Sequence, residues 1–200
     1  MRTYLRISLA LLIALALSAS ASAQTTAETA HDRFSLNAAV GPSFASLGTT
    51  FAATTGLEFN LTDRAAIVGE FGMLPRATFD NAAEIAPPLV GTDARRVNAY
   101  HWNGNLKVRP FDLGNASPYV TAGLGSFTAD AVADTRTLDG VTVQDRRRAS
   151  DFATNLGAGI LYRVNDWLGV NADYRTFFVY RDADTPRVHR FTTGLALSLK

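Results

Sequence analysis

Between Asn98 and Arg109 the chain alternates residue by residue: Tyr100, Trp102, Gly104, Leu106 and Val108 fall on even positions, His101, Asn103, Asn105, Lys107 and Arg109 on odd ones. A period of two belongs to a strand with one apolar and one polar face. The same split recurs three times: in Phe152, Thr154, Leu156, Ala158, Ile160 and Tyr162; in Leu168, Val170, Ala172, Tyr174, Thr176 and Phe178; and in Phe191, Thr193, Leu195, Leu197 and Leu199. Weaker alternation marks Phe34 to Gly41, Phe51 to Leu61, Ala65 to Leu74 and Pro118 to about Leu138, with Glu58 and Glu70 on the less apolar phase. Eight strands follow. An even count lets an antiparallel sheet close on itself with both termini at one end, and closure removes unpaired edges.

The first 23 residues read differently. Arg2 and Arg6 precede an apolar run from Ile7 to Leu17, and Ala21-Ser22-Ala23 stands before Gln24. This pattern predicts a cleaved signal peptide over 1–23 and export, a short N-terminal segment over 24–32, and one barrel domain over 33–200. Of 200 residues, 177 then remain, enough for one compact domain. With 47% hydrophobic and 18% charged residues the chain is composed to fold. Zero cysteines exclude a disulfide framework, a thiolate metal site, a cysteine nucleophile and a lipoprotein anchor. Without Arg2 and Arg6 the 19 basic residues fall to 17 against 18 acidic ones, so charge gives no sign of a nucleic-acid partner. No later stretch reaches 18 apolar residues, so any membrane crossing is made by strands.

Connections alternate in length. Thr62-Asp63-Arg64, Phe111 to Ser117 and Asn165-Asp166 are short; Pro42 to Thr50, Pro75 to Ala94, Ala129 to Ser150 and Arg181 to Arg187 are longer. Within the third long connection Asp139-Gly140 lies between β-favouring residues, a hairpin tip that predicts strands five and six projecting beyond a bilayer. Alternation alone does not say which face looks outward, since a soluble lipocalin-like barrel turns its apolar phase inward around a ligand. Three features favour apolar residues outside. The minority phase is rich in Gly, Ala, Ser and Asn, and lysine occurs only at Lys107 and Lys200, unlike an open water-facing surface. Ten-residue strands tilted about 45° cover roughly 23 Å, close to the ~25 Å apolar band of membrane barrels. Aromatic residues gather at both ends, with Phe59, Phe111, Tyr162 and Trp167 near the short turns and Phe71, Tyr100, Phe152, Phe178 and Tyr180 toward the long loops.

The chain resembles the small eight-stranded outer-membrane β-barrels, the OmpA-like and OmpX-like group. Lys107-Val-Arg-Pro-Phe-Asp112, Ser117-Pro-Tyr-Val-Thr-Ala-Gly-Leu-Gly125, Asn155-Leu-Gly-Ala-Gly-Ile160, Asn165-Asp-Trp-Leu168 and Asp173-Tyr-Arg175 carry the resemblance. It implies an all-β, eight-stranded, antiparallel up-and-down transmembrane barrel with short periplasmic turns and longer extracellular loops. It also implies a cell outer membrane location, insertion by the barrel-insertion machinery, and a role in envelope integrity or surface interaction. Members are similar in ending on an aromatic residue, whereas this sequence ends Leu199-Lys200.

On the polar phase Glu58, Glu70, Lys107, Arg109, Arg163, Asp173, Arg175 and Arg190 point into the lumen, with Arg109 and Arg163 toward the periplasmic rim. Eight strands leave little free bore, and a buried charge needs a partner, so these residues predict an ion-pair network that plugs the barrel rather than a conducting path. At the outer interface Arg146, Arg147 and Arg148 are candidates to contact lipopolysaccharide phosphates, and Ile85 to Val90 forms an apolar patch expected to pack on its own loop. The histidines are His31, His101 and His189, with no HExxH or HxxxH spacing, and neither Ser43 nor Ser126 sits in Gly-x-Ser-x-Gly. No metal, cofactor or catalytic residue is therefore expected, and His101 reads as a hydrogen-bonding residue of the lumen. The reading is a monomeric, non-enzymatic outer-membrane barrel whose partners are lipid and lipopolysaccharide. Its rivals are a soluble periplasmic ligand-binding barrel, a small porin and an outer-membrane lipid hydrolase.

Overall fold

The computed structural model describes residues 33–45, 48–78, 96–138, 141–181 and 185–199. The predicted signal peptide, the 24–32 segment, the Ile85 to Val90 patch and the Asp139-Gly140 tip lie outside the described residues. Eight strands run in chain order: β1 Phe34–Ala45, β2 Gly48–Asn60, β3 Ala65–Thr78, β4 Arg96–Val108, β5 Ala116–Leu138, β6 Val141–Arg163, β7 Leu168–Tyr180 and β8 Arg187–Leu199. Each pairs antiparallel with the next, and β8 pairs with β1 from Leu199↔Phe34 to Val188↔Ala45, closing the barrel.

Short turns are built by their own side chains. Thr62 Oγ1 accepts the backbone N–H groups of Arg64 (3.2 Å) and Ala65 (3.0 Å), and Asn165 Oδ1 accepts those of Trp167 (3.0 Å) and Leu168 (2.8 Å). Such local bonds favour a turn over a continued strand. The β4–β5 turn contains Gly114 at φ 65°, a backbone region open to glycine and costly for most other residues.

The long-loop end departs from expectation. Pro42 does not end β1: the β1–β2 ladder runs on to Ala45↔Gly48, and β1–β8 pairing lapses only over Gly41 and Pro42, where proline has no N–H to give. Likewise β3 passes Pro75 through a register shift between Leu74 and Ala77 and ends at Thr78. The stretch from Ala129 to Ser150, by contrast, is ladder as the expected projection of strands five and six requires: β5 and β6 pair from Ala116↔Tyr162 to Leu138↔Val141, 23 residues each.

Exposure decides the orientation of the two faces. Trp102 is 62% exposed and Leu124 60%, whereas Glu58 is 2% and Arg190 1%. Apolar side chains therefore cover the outside, the reverse of the lipocalin-like arrangement. Phe34, Phe59, Phe111, Tyr162 and Trp167 are exposed at the short-turn end, and Phe71, Phe152 and Tyr180 toward the other. The interior has one layer that the polar-lumen expectation omits. Toward the long loops Ala52, Leu74, Ala99, Phe127, Ala153, Phe177, Val179 and Val188 form an apolar disc across the bore. Apolar groups fill such a space without needing hydrogen-bond partners.

Candidate functional site: the lumen charge cluster

Because successive residues of a strand face opposite sides, the inward phase brings charges from five strands into the middle of the barrel. At the lower level, nearer the short turns, Glu58 on β2 is shared by two cations. Lys107 Nζ lies 2.8 Å from Glu58 Oε2, and Arg109 Nη2 bonds Oε1. Arg109 also donates to Asn60 Oδ1 at 3.1 Å, and the Lys107 ammonium sits 4.2 Å from the centre of the Tyr119 ring, a cation–π contact.

Tyr119 links this level to the next by donating its hydroxyl to Asp173 Oδ2 at 3.1 Å. There Asp173 accepts from Arg175 Nε and Nη2, both at 3.2 Å, and from Arg190 Nη2 at 3.4 Å. Glu70 on β3 faces the same two guanidinium groups, 2.8 Å from Arg190 Nη1 and 3.2 Å from Arg175 Nη1. Strands β3 and β7 stand four apart in a ring of eight, so the Glu70–Arg175 pair spans the bore. Each carboxylate is held by two cations, which leaves none of the three free to act as a base.

His101 caps the cluster beneath the apolar disc. Its Nε2 lies 3.1 Å from Arg190 Nη1 and its Nδ1 2.8 Å from Asn103 Oδ1. A guanidinium only donates, so Nε2 accepts, the ring is neutral, and the proton on Nδ1 is donated to Asn103. The ring packs 4.7 Å from that of Phe177 and 6.2 Å from that of Phe127. On β3 Gly72 makes room for it, since a Cβ there would collide with His101 Nε2.

Seven of the eight lumen candidates join these contacts: Glu58, Glu70, Lys107, Arg109, Asp173, Arg175 and Arg190. Arg163 does not. It stays at the short-turn rim, half exposed, 3.7 Å from Asp112 Oδ1 and 3.4 Å from Ser117 Oγ, because β6 ends there and water competes with any inward partner. Arg148 lies over Tyr100, 5.2 Å from the ring centre, while the side chains of Arg146 and Arg147 lie outside the described set. Sequence reasoning missed the linking roles of Tyr119 and Asn103, and the Arg181–Asp151 pair at 2.5 Å near the long loops. It also missed the disc, although Phe177 already stood out as apolar on a polar phase.

Two cavities frame the cluster. One of about 40 Å³ lies between Lys107, Tyr119, Thr121, Asn171 and Arg175. The other, about 860 Å³, opens at the short-turn end, with Glu58 and Arg109 as its floor and Asp112 and Arg163 on its rim. Among the described residues no three His, Cys, Asp or Glu side chains converge as metal ligands.

Comparison with known proteins agrees with this architecture. No curated protein matches the chain. Among solved structures, Neisserial surface protein A is similar at 14% identity, over 86% of this chain and 100% of that one, with a TM-score of 0.62. The N-terminal β-barrel domain of Pseudomonas aeruginosa OprF is similar at 14% identity, over 84% and 97%, with a TM-score of 0.52. At such identities the likeness is one of fold alone. A family model described as the outer membrane protein beta-barrel domain matches residues 9–198. With its apolar exterior, polar core and near-complete match, the chain is a protein of the cell outer membrane and belongs to the outer membrane protein beta-barrel domain family.

Proposed function

We propose that this barrel is a monomeric, non-catalytic component of the outer membrane that plugs its own lumen with charge and serves the envelope by structural support or by contacts of its extracellular loops. The observation that carries this reading is the interlocked set of Glu70, Asp173, Arg175 and Arg190, which reaches from β3 across to β7 and β8. An ion reaching it from the 860 Å³ periplasmic cavity meets paired charges and, behind them, the apolar disc. Planar-bilayer recording of the purified barrel tests this. Brief, small openings at most are expected, and sustained large conductance overturns the plug. In the same preparation no fatty acid should be released from phospholipid or lipopolysaccharide, and release abolished by His101→Ala would make the protein an enzyme.

Lipopolysaccharide and, during assembly, the barrel-insertion machinery are the expected partners. Arg146, Arg147 and Arg148 supply guanidinium forks suited to phosphate. Replacing all three by alanine should weaken lipopolysaccharide binding, and unchanged affinity would remove them from that role.

A further inference from the structure

The outer wall carries few polar groups, but β7 and β8 interrupt it. His189 lies on the outward phase opposite Thr176 and beside Phe44 of β1. Its Nδ1 is 3.0 Å from the Tyr174 hydroxyl and 3.0 Å from Thr176 Oγ1. These two hydroxyls hold the Nδ1 side of the ring against β7, and Nε2 has no hydrogen-bond partner among the described residues. Two residues before it, on the same face and about 7 Å away, Arg187 is exposed. Its guanidinium lies 5.6 Å from the centre of the Phe178 ring and has no ion-pair partner among the described residues.

Height fixes what surrounds these groups. At about 2.3 Å of vertical rise per tilted residue, Phe178, ten residues above Leu168, lies roughly 23 Å above the short-turn end, and Thr176 roughly 18 Å. Arg187 thus stands at the outer edge of an apolar band of about 25 Å, and His189 one step inside it. An unpaired cation at the edge of the band is costly unless an acceptor comes to it, and there the acceptors are headgroup oxygens. Aromatic rings above and below supply a surface for acyl chains.

We propose that Arg187 and His189 form a binding site for the phosphate of an outer-leaflet lipid, with the Arg187 guanidinium on the phosphate, His189 Nε2 on a deeper oxygen, and the lipid chains along Phe44 and Phe178. Tyr174 and Thr176 act as positioning residues that hold the imidazole by Nδ1 and leave Nε2 free for the lipid. The site uses none of the lumen charges and stands whether or not the lumen conducts.

The test uses the full barrel in a maltoside detergent, which contains no phosphate, with histidine rings labelled for nitrogen NMR. Lipid A should shift the ring signals of His189 and leave those of buried His101 in place. The Arg187→Gln/His189→Gln double variant, followed by tryptophan fluorescence, should bind lipid A at least tenfold more weakly, the loss expected from removing charge-assisted hydrogen bonds. Where the double variant lacks heat-modifiable gel migration, Arg187→Glu in a barrel that retains it serves instead. An equal shift with inorganic phosphate alone would assign the site to free anion and overturn the lipid assignment. So would shifts that follow protein concentration rather than lipid, which would mark a surface for a second copy, and so would unchanged affinity in the variants.

Discussion

Replacing Glu58 by glutamine removes one charge and strands two. In the folded barrel Glu58 is the shared carboxylate of Lys107 and Arg109, and all three side chains are at most 10% exposed. Breaking a buried ion pair by deleting one member costs about 3–5 kcal/mol, because the remaining charge keeps its desolvation penalty. Glutamine retains an oxygen that can accept from Lys107, which offsets about 1 kcal/mol. The net expectation is a loss of about 3 kcal/mol. Asp173→Asn is the informative contrast. It also deletes a buried carboxylate, but Glu70 remains 2.8 Å from Arg190 and 3.2 Å from Arg175, so both guanidinium groups keep an anion and the expected loss is about 1.5 kcal/mol. Urea unfolding of vesicle-inserted barrel, followed by the fluorescence of Trp102 and Trp167, measures both at an unchanged m-value. Adding Lys107→Met to Glu58→Gln should recover 1 kcal/mol or more on the order of a removed stranded charge. Equal destabilisation by the two single variants, or a larger loss for Asp173→Asn, would refute the idea that the lower level depends on a single carboxylate.

Other consequences follow from the same contacts. Gly72→Ala should cost roughly 1–3 kcal/mol in the urea assay because the new Cβ meets the His101 ring, whereas Gly69→Ala on the same strand meets nothing within 4 Å and should be nearly neutral. Phe177→Ala should cost about 3–5 kcal/mol but leave bilayer conductance low, because the charge network beneath the disc is untouched; a marked rise in conductance would place the barrier in the disc instead. Trp102→Arg puts a cation on the lipid face and should destabilise by about 2–4 kcal/mol, while Trp167→Arg beside the short turn should cost about 0–1 kcal/mol, as compared by the same unfolding curves.

The strand phases were legible because a wall with hydrocarbon on one side and a narrow polar lumen on the other forces a period of two onto every strand that crosses it. Where that pressure ends, so does the signal. From Asp145 to Asp151 the alternation gives way to a run of charge, yet the backbone continues its ladder with β5, as the Asp139-Gly140 turn signal implied, since beyond the lipid the outward phase no longer has to be apolar. Pro42 and Pro75 misled for a related reason: they mark local interruptions in pairing, not the ends of strands. The inward charges were visible one by one from their phase, but their partners were not. Glu58 and Lys107 are 49 residues apart, and Glu70 and Arg190 are 120 apart. Which of them meet across the bore depends on the stagger of the closed sheet, a property of all eight strands together that no single segment encodes.

The β5–β6 hairpin gives the molecule its least symmetrical property. Ladder pairing with β4 stops at Val97↔Ala131 and pairing with β7 at Phe152↔Tyr180, while the two strands continue together to Leu138↔Val141. Over that stretch the protein ceases to be a tube and becomes a two-stranded blade, its flanks unpaired with any other strand among the described residues. Among the described residues this blade stands farthest from the barrel wall, on a stalk of the barrel's own backbone.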